Sequence, residues 1–315
     1  MTIYVNLNLA PEFRPVSGTL DNKASFLNSS SMPRESRASL LKFGMPQVDF
    51  ARLVPDTLEA CTVYGLHQYR IGRDGDGQPK NDTGYLGMGL TYNPRHVDGA
   101  DVDPHQQVQG NHNPGAKGYQ GANPFSRING EEAQTYSKKN THYDTYSMCY
   151  RTPGSRHGYL GRFVDSFKRT MVRSSIRTID ASSRQGQTRV NGEQLAGVSW
   201  HTDESMFENL RINIPVVTDP IFVLEQQGQQ PVHLEAGYAY TWDTGLLHRA
   251  YTTQVTDQPV LRTHIMLGFS CWWDFDESTD TWCQNEFFGR KHPQDMLIDG
   301  DVIPGLELAR LELAQ

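Results

Sequence analysis

The chain has 315 residues and a formal net charge of −7, with 37% hydrophobic residues, 28 glycines and 17 prolines. This length allows one large domain or two small ones, and the acidic balance gives no general reason to expect nucleic acid as a partner. No apolar run approaches the ~20 residues of a membrane span, and neither a secretion-signal pattern nor a C-x-x-C pair is present, so we expect a cytoplasmic protein with reduced thiols and no membrane partner.

The first half of the chain predicts strands and long polar connections. Met1–Leu9 alternates apolar and polar residues, as a short strand does. Val48–Leu58 predicts a short helix, and Cys61–Ile71 and Tyr85–Tyr92 predict two strands joined by an Asp-Gly hairpin turn. Asn93–Arg127 has no periodicity and many Gly, Pro and Asn residues, so we interpret it either as a solvated loop or as a lid over the substrate.

The middle and the end of the chain predict helices that back a sheet. Apolar residues recur at helical spacing in Gly161–Ile179, which is the strongest helix prediction. A separate stripe on that helix contains Arg162, Arg169, Arg173 and Arg177. We expect it to be the solvated face of the helix, and contact with an anionic substrate is the alternative. Ser182–Gly192 predicts a loop and Leu306–Leu313 a short helix. The tryptophans of Phe269–Phe288 are expected to cap the barrel, and lining the pocket is the alternative.

Two later segments alternate strictly, as half-buried strands do. They are Leu210–Val217 and Leu261–Gly268. In the first, the even-numbered residues are apolar, whereas Arg211 and Asn213 fall on the opposite face. In the second, apolar residues such as Ile265 share one face, and Arg262 and His264 take the other. Because a buried arginine is costly without an anion, the arginine faces are expected to point into a barrel or sandwich interior and to bind a dicarboxylate.

The predicted metal ligands lie beside these strands. His-x-Asp begins at His96, His142 and His201, but only His201-Thr-Asp203 has alternating strands beside it and an arginine-bearing strand on each side of a later histidine, His248. Residues two apart in an extended segment point the same way. Two imidazoles and one carboxylate leave metal positions open for a co-substrate and oxygen, which suits non-haem Fe(II). We therefore predict His201, Asp203 and His248 as the catalytic metal ligands.

Together these motifs resemble the aspartyl/asparaginyl β-hydroxylase branch of the Fe(II)/2-oxoglutarate oxygenases, which includes bacterial L-proline cis-hydroxylases. The matching motifs are His201-Thr-Asp203, Arg211-Ile-Asn213, Gly237…Asp243…His248 and Arg262-Thr-His264. The resemblance covers roughly 197–269 and implies Fe(II), 2-oxoglutarate and O2. It also implies that Arg262 holds the distal carboxylate of 2-oxoglutarate and that Arg211 helps to bind it. Asn213, which stands where the family often has histidine, and His264 complete the residues expected at the co-substrate.

The resemblance implies a mainly β fold, in which helices back a double-stranded β-helix, or jelly roll. We expect one domain over 1–315, with a core barrel at 194–270, additions at 1–193 and an aromatic cap at 271–315. The expected reaction is hydroxylation of an unactivated C–H bond in a small polar, amino-acid-like or peptidyl substrate. Non-catalytic binding modules share this fold, and zinc hydrolases share such ligands, so a cupin-like binding module and a zinc-dependent hydrolase are the alternatives.

Overall fold

The computed structural model gives the chain a mainly β architecture with antiparallel sheets. It describes residues 40–73, 79–92, 103–106, 148–183, 187–203, 206–207, 209–276, 281–288 and 290–309. The α-helices of this part are α1 (Phe50–Tyr64), α2 (Gly158–Asp165) and α3 (Pro293–Ile298). None of these helices is long and apolar enough to cross a membrane.

The strands of the described residues are numbered here in chain order. Those before α2 are β1 (Leu41–Gly44), β2 (His67–Arg73), β3 (Pro79–Gly89), β4 (Thr91–Tyr92) and β5 (Tyr150–Arg151). Those between α2 and residue 230 are β6 (Ser175–Asp180), β7 (Gln187–Val190), β8 (Glu193–His201), β9 (Leu210–Val217) and β10 (Phe222–Gln226). The later ones are β11 (Val232–His233), β12 (Tyr238–Thr241), β13 (His248–Thr252), β14 (Leu261–Phe269), β15 (Trp273–Asp276), β16 (Thr281–Gln284) and β17 (Glu307–Ala309).

Two sheets form the body of the described structure. The larger has eight strands in the order β17-β1-β12-β9-β14-β6-β3-β2, and the smaller has five in the order β11-β10-β13-β8-β7. Between β8 and β14 the chain passes repeatedly from one sheet to the other. The larger sheet also takes strands from outside residues 194–270, namely β1, β2, β3, β6 and β17.

The central strands of the larger sheet are buried on both faces. Its outer face carries Ile212, Ile214 and Leu267, which pack with Leu53 of α1 and Phe163 of α2 in the main hydrophobic core. Its inner face meets the smaller sheet, because Tyr85 and Ile179 cluster with Ala196 and Phe222. The functional residues predicted from the sequence lie on this inner side, so the candidate site lies in the space between the two sheets.

The alternation predicted for Leu210–Val217 and Leu261–Gly268 is confirmed. The apolar residues Ile212, Ile214, Ile265 and Leu267 are fully buried in the main core. Met266 lies opposite Asn213 and Gly268 lies opposite Arg211, so the polar positions of the two strands share the inner face. Leu261 is the exception among the apolar positions, since it begins β14 and is half exposed.

The helix predicted over Gly161–Ile179 is wrong beyond its first turns. The helix α2 ends at Asp165, and residues 175–180 form strand β6 between β3 and β14. Isoleucine and threonine favour strands, and two neighbouring strands satisfy the backbone of β6, so tertiary pairing outweighs the helical spacing. The predicted solvent-facing arginine stripe is confirmed at Arg162, which is exposed on α2, but it is wrong further along, because Arg173 is only 6% exposed and Arg177 lies on β6.

The helix α1 confirms and extends the prediction for Val48–Leu58. It continues to Tyr64, so the strand predicted over Cys61–Ile71 is wrong at its start and begins only at His67. The antiparallel pairing of β2 with β3 agrees with the predicted hairpin. The short helix predicted over Leu306–Leu313 is wrong in its described part, because Glu307–Ala309 form strand β17, which pairs with β1 at the edge of the larger sheet.

The loop predicted over Ser182–Gly192 is wrong in its second half. Strand β7 pairs antiparallel with β8, and the two are joined by Asn191-Gly192, whose φ angles are 51° and 93°. Asn-Gly with both φ angles positive is the favoured two-residue turn of a β-hairpin. The dipeptide therefore carried a hairpin signal that the loop prediction overlooked.

Several predictions lie outside the described residues. They concern Met1–Leu9, the pairs at His96 and His142, and all of Asn93–Arg127 except 103–106. The aromatic segment after β14 is described in part. Trp272 and Trp273 are buried in the main core, on the helix side of the larger sheet, which agrees with a capping role.

Candidate metal centre

His201, Asp203 and His248 come together at one end of the space between the sheets. Within the described residues they form a group whose ligand atoms all lie within 4.8 Å of one another. Asp203 Oδ2 is 3.8 Å from His201 Nε2 and 4.0 Å from His248 Nε2. Two ligand atoms that each lie about 2.1 Å from one ion are about 3.0 Å apart when the angle at the ion is about 90°. They are about 4.2 Å apart when they lie on opposite sides of the ion. The two distances from Asp203 fall within this range, so the three side chains can hold a metal ion.

Pairing of β8 with β13 places the two histidines side by side. His201 ends β8 and lies directly opposite His248, the first residue of β13, with ring centroids 4.4 Å apart. The register shifts by one residue at this point, because Val198 pairs with Ala250 only two residues further along β13. The extra residue in β8 is a β-bulge, which re-aims the side chains that follow it. Val198 and His201 thereby share the inner face although they are three positions apart.

Gly197 makes the close approach of these strands possible. Its φ angle is +150°, in the range that favours glycine, and a Cβ atom there would lie 2.6 Å from Tyr251 Cα and would also meet the carbonyl oxygen of Ala250. Any side chain would push β8 away from β13. The glycine that precedes the bulge is therefore part of what brings His201 to His248.

Backbone contacts orient both imidazoles. His201 Nδ1 lies 2.7 Å from the carbonyl oxygen of Ser199, and His248 Nδ1 lies 2.9 Å from that of Leu246. A carbonyl can only accept, so each Nδ1 carries the proton and each Nε2 presents a lone pair to the centre. Burial, reinforced by the neighbouring His201, lowers the pKa of His248 to about 4, which keeps this ring neutral and able to bind a metal at physiological pH.

Arg211 contacts the metal-ligand carboxylate directly. Its Nη1 donates to Asp203 Oδ2, and its side chain is 3% exposed. Burial alone would raise the pKa of Asp203, but the neighbouring cations outweigh burial and hold the pKa well below its usual range. These are Arg211 first and, after it, Arg173 and the imidazoles of His201 and His248 when they are protonated. Asp203 is therefore an anion when folded, as a metal ligand must be.

Arg173 is a site residue that the sequence prediction placed on a solvent-facing helix. It is buried two residues before β6, its backbone N–H donates to the carbonyl of Met148 at 3.0 Å, and its charge lowers the pKa of Asp203. Its φ angle is 44°, a left-handed conformation that costs a non-glycine residue about 1–2 kcal/mol. Such strain is often found at functional sites. A strand prediction for 175–180 would have identified this site residue, because polar residues alternate at Arg173, Ser175 and Arg177.

Arg211 and Arg262 share the inner face but lie at opposite ends of it. Gly268 of β14 lies opposite Arg211, and Arg262 is six residues earlier on the same strand. At about 3.3 Å per residue, the two backbone positions are about 20 Å apart along the strand. The structure therefore places Arg211 at the metal end with Asp203 and Arg262 at the far end. Asn213 lies one step inward from Arg211, opposite Met266 of β14 and Tyr240 of β12.

Among the described residues, the Arg262 guanidinium at the far end of the inner face has no acidic partner. Arg262 is 5% exposed, and within the described residues its Nε makes no hydrogen bond and its side chain no ion pair with a carboxylate. His264 is equally buried, and its Nδ1 makes no hydrogen bond to the residues described. Burial lowers the pKa of Arg262, and burial with the charges of Arg262 and Arg177 lowers that of His264 well below its usual range. An uncompensated buried guanidinium calls for an anionic ligand.

Neighbouring residues support the histidine ligands. Trp242 is buried, and its ring packs edge-on against His248 at 5.9 Å. Asp243 Oδ1 accepts hydrogen bonds from the backbone N–H of Gly245 at 2.9 Å and from the backbone N–H of Met206 at 3.3 Å. The backbone N–H of Asp203 donates to the carbonyl oxygen of Thr244 at 2.8 Å. These contacts join the segment after β8 to the turn before β13, so that Asp203 is held beside His248.

Comparison with known proteins adds no family to this geometry. No protein-family model matches the chain, and no curated protein matches it. The function is therefore inferred from the residues of the site themselves.

Proposed function

We propose that this chain is an Fe(II)- and 2-oxoglutarate-dependent oxygenase that hydroxylates an unactivated C–H bond of a small polar, amino-acid-like or peptidyl substrate. The observation that carries the proposal is the pairing of two features on one inner face. One is the His201, Asp203 and His248 group, which can hold a metal. The other is the buried Arg262 further along, which has no carboxylate partner among the described residues. A zinc hydrolase requires only the first feature, and a binding module does not require the two features together.

The strand order supports a double-stranded β-helix for the core. When β6 and β8 to β14 are counted as strands one to eight, the larger sheet contains the order 6-3-8-1 and the smaller sheet the order 5-4-7-2. Strand one therefore pairs with eight, two with seven, three with six and four with five. This is the pattern of one long hairpin rolled into two facing sheets, as in jelly rolls and cupins.

The donor set fits Fe(II). Two neutral imidazoles and one carboxylate suit non-haem iron and leave sites for other ligands. The proposed ligand atoms are His201 Nε2, His248 Nε2 and a carboxylate oxygen of Asp203. When bound, Fe(II) supplies the oxygen chemistry, in which one O2 and one 2-oxoglutarate give succinate, CO2 and a substrate that gains one oxygen atom. Arg211 holds the carboxylate of Asp203 in place and keeps it ionised.

The chain positions the co-substrate and keeps the site dry. A five-carbon dicarboxylate with its keto-acid end at the metal directs its other carboxylate along the inner face towards Arg262. Arg262 pairs with that carboxylate, and Asn213 and His264 offer polar atoms along the way. The apolar side chains Ala196 and Phe222 close the far end against the larger sheet. Exclusion of water strengthens the charge pairing that holds the co-substrate.

Release of labelled CO2 tests the proposal. The protein is incubated with Fe(II), O2 and 2-oxoglutarate labelled at C1, first alone and then with panels of amino acids and peptides, with succinate measured in parallel. The expected result is metal-dependent formation of CO2 and succinate, which a substrate accelerates and which His248→Ala abolishes. Arg249→Met is the matched control, because Arg249 pairs with Glu225 at 2.6 Å on the outer face of the smaller sheet. If turnover never exceeds that of free Fe(II), the oxygenase assignment is wrong.

A further inference from the structure

Gln226 lies in the same cross-strand row as the two histidine ligands. It pairs with His248 of β13, and His248 pairs with His201 of β8. Directly paired residues of antiparallel strands project to the same side of a sheet. Phe222, four residues earlier in β10, packs on the inner face, so the alternation of the strand also directs Gln226 inward. The amide therefore flanks His248 at the metal end, on the side away from His201.

The amide of Gln226 is buried without a partner among the described residues. Gln226 is 6% exposed, and its Nε2 makes no hydrogen bond within this part of the chain. A buried donor without a partner destabilises the ligand-free fold, and leucine, which occupies the inner face two residues earlier at Leu224, would avoid this cost. A glutamine amide can turn either its NH2 group or its carbonyl oxygen to a ligand, so Gln226 alone does not define what binds there.

Trp242 supplies a second buried donor beside His248. Its ring packs edge-on against that imidazole, and it clusters with Leu224 of β10 and Tyr240 of β12, which places it between the sheets next to the strand of Gln226. Trp242 is 6% exposed, and its Nε1 makes no hydrogen bond to the residues described. An indole N–H donates and never accepts. A group that satisfies both residues is therefore a hydrogen-bond acceptor.

The surroundings of these donors favour an uncharged acceptor. Both donors are neutral, and Arg211, on the strand next to β12, already donates to Asp203. Arg262 lies at the opposite end of the inner face. A buried carboxylate needs a cation of its own, whereas a carbonyl oxygen, with two lone pairs, is satisfied by two neutral donors.

We propose that Gln226 and Trp242 together bind an uncharged carbonyl oxygen of the substrate, such as an amide or a ketone carries, and thereby orient the substrate at the metal centre. This inference rests on the proposed function, since it assigns the bound group to the substrate of that reaction. It makes the two residues a specificity-determining pair and the metal end selective for substrates that carry a carbonyl group beside the carbon that is oxidised.

Nitrogen-15 NMR of the indole groups tests the proposal. The protein is labelled at its five tryptophans and loaded with diamagnetic Zn(II) in place of Fe(II). It is titrated with N-methylacetamide as the carbonyl probe and, separately, with acetate as the carboxylate probe. Trp242→Phe identifies the Trp242 resonance by its disappearance. N-methylacetamide should shift the Nε1–H resonance of Trp242 downfield and to saturation, because a hydrogen bond to a carbonyl oxygen deshields the proton, and acetate should not.

The chain offers a matched control for each donor. Trp200 is 39% exposed and stacks under Arg249 outside the inter-sheet space, so its resonance should show no saturable shift. Gln226→Leu removes the amide and should raise the Kd for N-methylacetamide roughly two- to tenfold. Gln227→Leu changes the adjacent glutamine, which is exposed, and should leave this Kd unchanged. Urea unfolding verifies that each variant keeps the fold, and Gln226→Leu should be at least as stable as wild type.

Each outcome separates this inference from the oxygenase assignment. If the Trp242 resonance ignores N-methylacetamide, if acetate shifts it equally, or if Gln226→Leu binds the probe as wild type does, the carbonyl site is wrong, whereas release of CO2 from 2-oxoglutarate would still support the proposed function. A saturable shift of Trp242 by 2-oxoglutarate that blocks the probe would assign the donors to the co-substrate and would also overturn the inference. If the probe binds but the Fe(II) protein never consumes 2-oxoglutarate, the proposed function fails and the assignment of the site to its substrate falls with it.

Discussion

Replacing Arg262 by methionine should have opposite effects on ligand affinity and on the stability of the free protein. The side chain is 5% exposed and has no carboxylate partner in the described part of the chain. Loss of one member of a buried charge pair costs about 3–5 kcal/mol. At about 1.4 kcal/mol per tenfold, the Kd for 2-oxoglutarate should rise between about a hundredfold and a few thousandfold.

The same change should stabilise the ligand-free protein. A buried guanidinium without an acid is a desolvation cost that methionine, which keeps an apolar side chain of similar length, does not carry. We expect the free energy of unfolding to rise by roughly 1 kcal/mol or more, since replacing buried charge by well-packed apolar groups is often stabilising. A rise in stability together with a fall in affinity is the signature of a residue kept for binding.

Two measurements on matched variants check both effects. Anaerobic calorimetry of the Fe(II)-loaded protein gives the Kd for 2-oxoglutarate, and urea unfolding without ligand gives the stability. Arg249→Met is the comparison, because Arg249 pairs with Glu225 at 2.6 Å and stacks on Trp200 outside the inter-sheet space. It should lose stability and keep its affinity. If Arg249→Met loses binding while Arg262→Met keeps it, the assignment of faces and of the anchor is refuted.

Three further predictions concern the metal end and its surroundings. Asp203→Gly should weaken Fe(II) binding and abolish hydroxylation although both histidines remain, as measured by metal analysis and product formation; unchanged values would mean that another carboxylate is the ligand. Arg173→Gly should be more stable to urea than Arg173→Ala by about 1 kcal/mol, because φ is 44° and only glycine tolerates this freely; the reverse order would contradict the strain. The metal-free protein should keep its stability above pH ~6.5 and lose up to about 1.4 kcal/mol per pH unit for each of His248 and His264 as the pH falls towards 4. The reason is that burial depresses the pKa values of these two residues in the folded state only. In urea titrations His264→Asn should reduce the loss of stability per pH unit, and an unchanged loss would show that His264 titrates normally.

Periodicity was sufficient to predict the strands that carry most of the site. The alternation in Leu210–Val217 and Leu261–Gly268 set apolar residues on one face and Arg211, Asn213, Arg262 and His264 on the other, and the fold retains this division. Both strands are central in the larger sheet, with one face on the helices and one towards the smaller sheet. Alternation strongly determines which side chains face each side of a strand when one side packs on an apolar core and the other faces polar groups.

The pairing register of the strands and the local backbone geometry could not be predicted from this alternation. Parity along β8 alone would set Val198 and His201 on opposite faces, and only the bulge against β13 brings both inward. Arg173 was assigned to a helix because the spacing of nearby apolar residues is helical, whereas pairing with two strands decides the structure of 175–180. The distance between Arg211 and Arg262 likewise depends on which residues pair across β9 and β14, which no single-strand pattern contains.

The most direct test of the account is an anaerobic titration in two steps. Fe(II) is added first and 2-oxoglutarate second, while calorimetry and visible absorption are recorded for wild type and for His248→Ala. The account predicts one Fe(II) per chain, then one 2-oxoglutarate per chain with a weak visible charge-transfer band, and loss of both steps in the variant. Binding of 2-oxoglutarate that is the same with and without metal, or a variant that binds as wild type does, would contradict it.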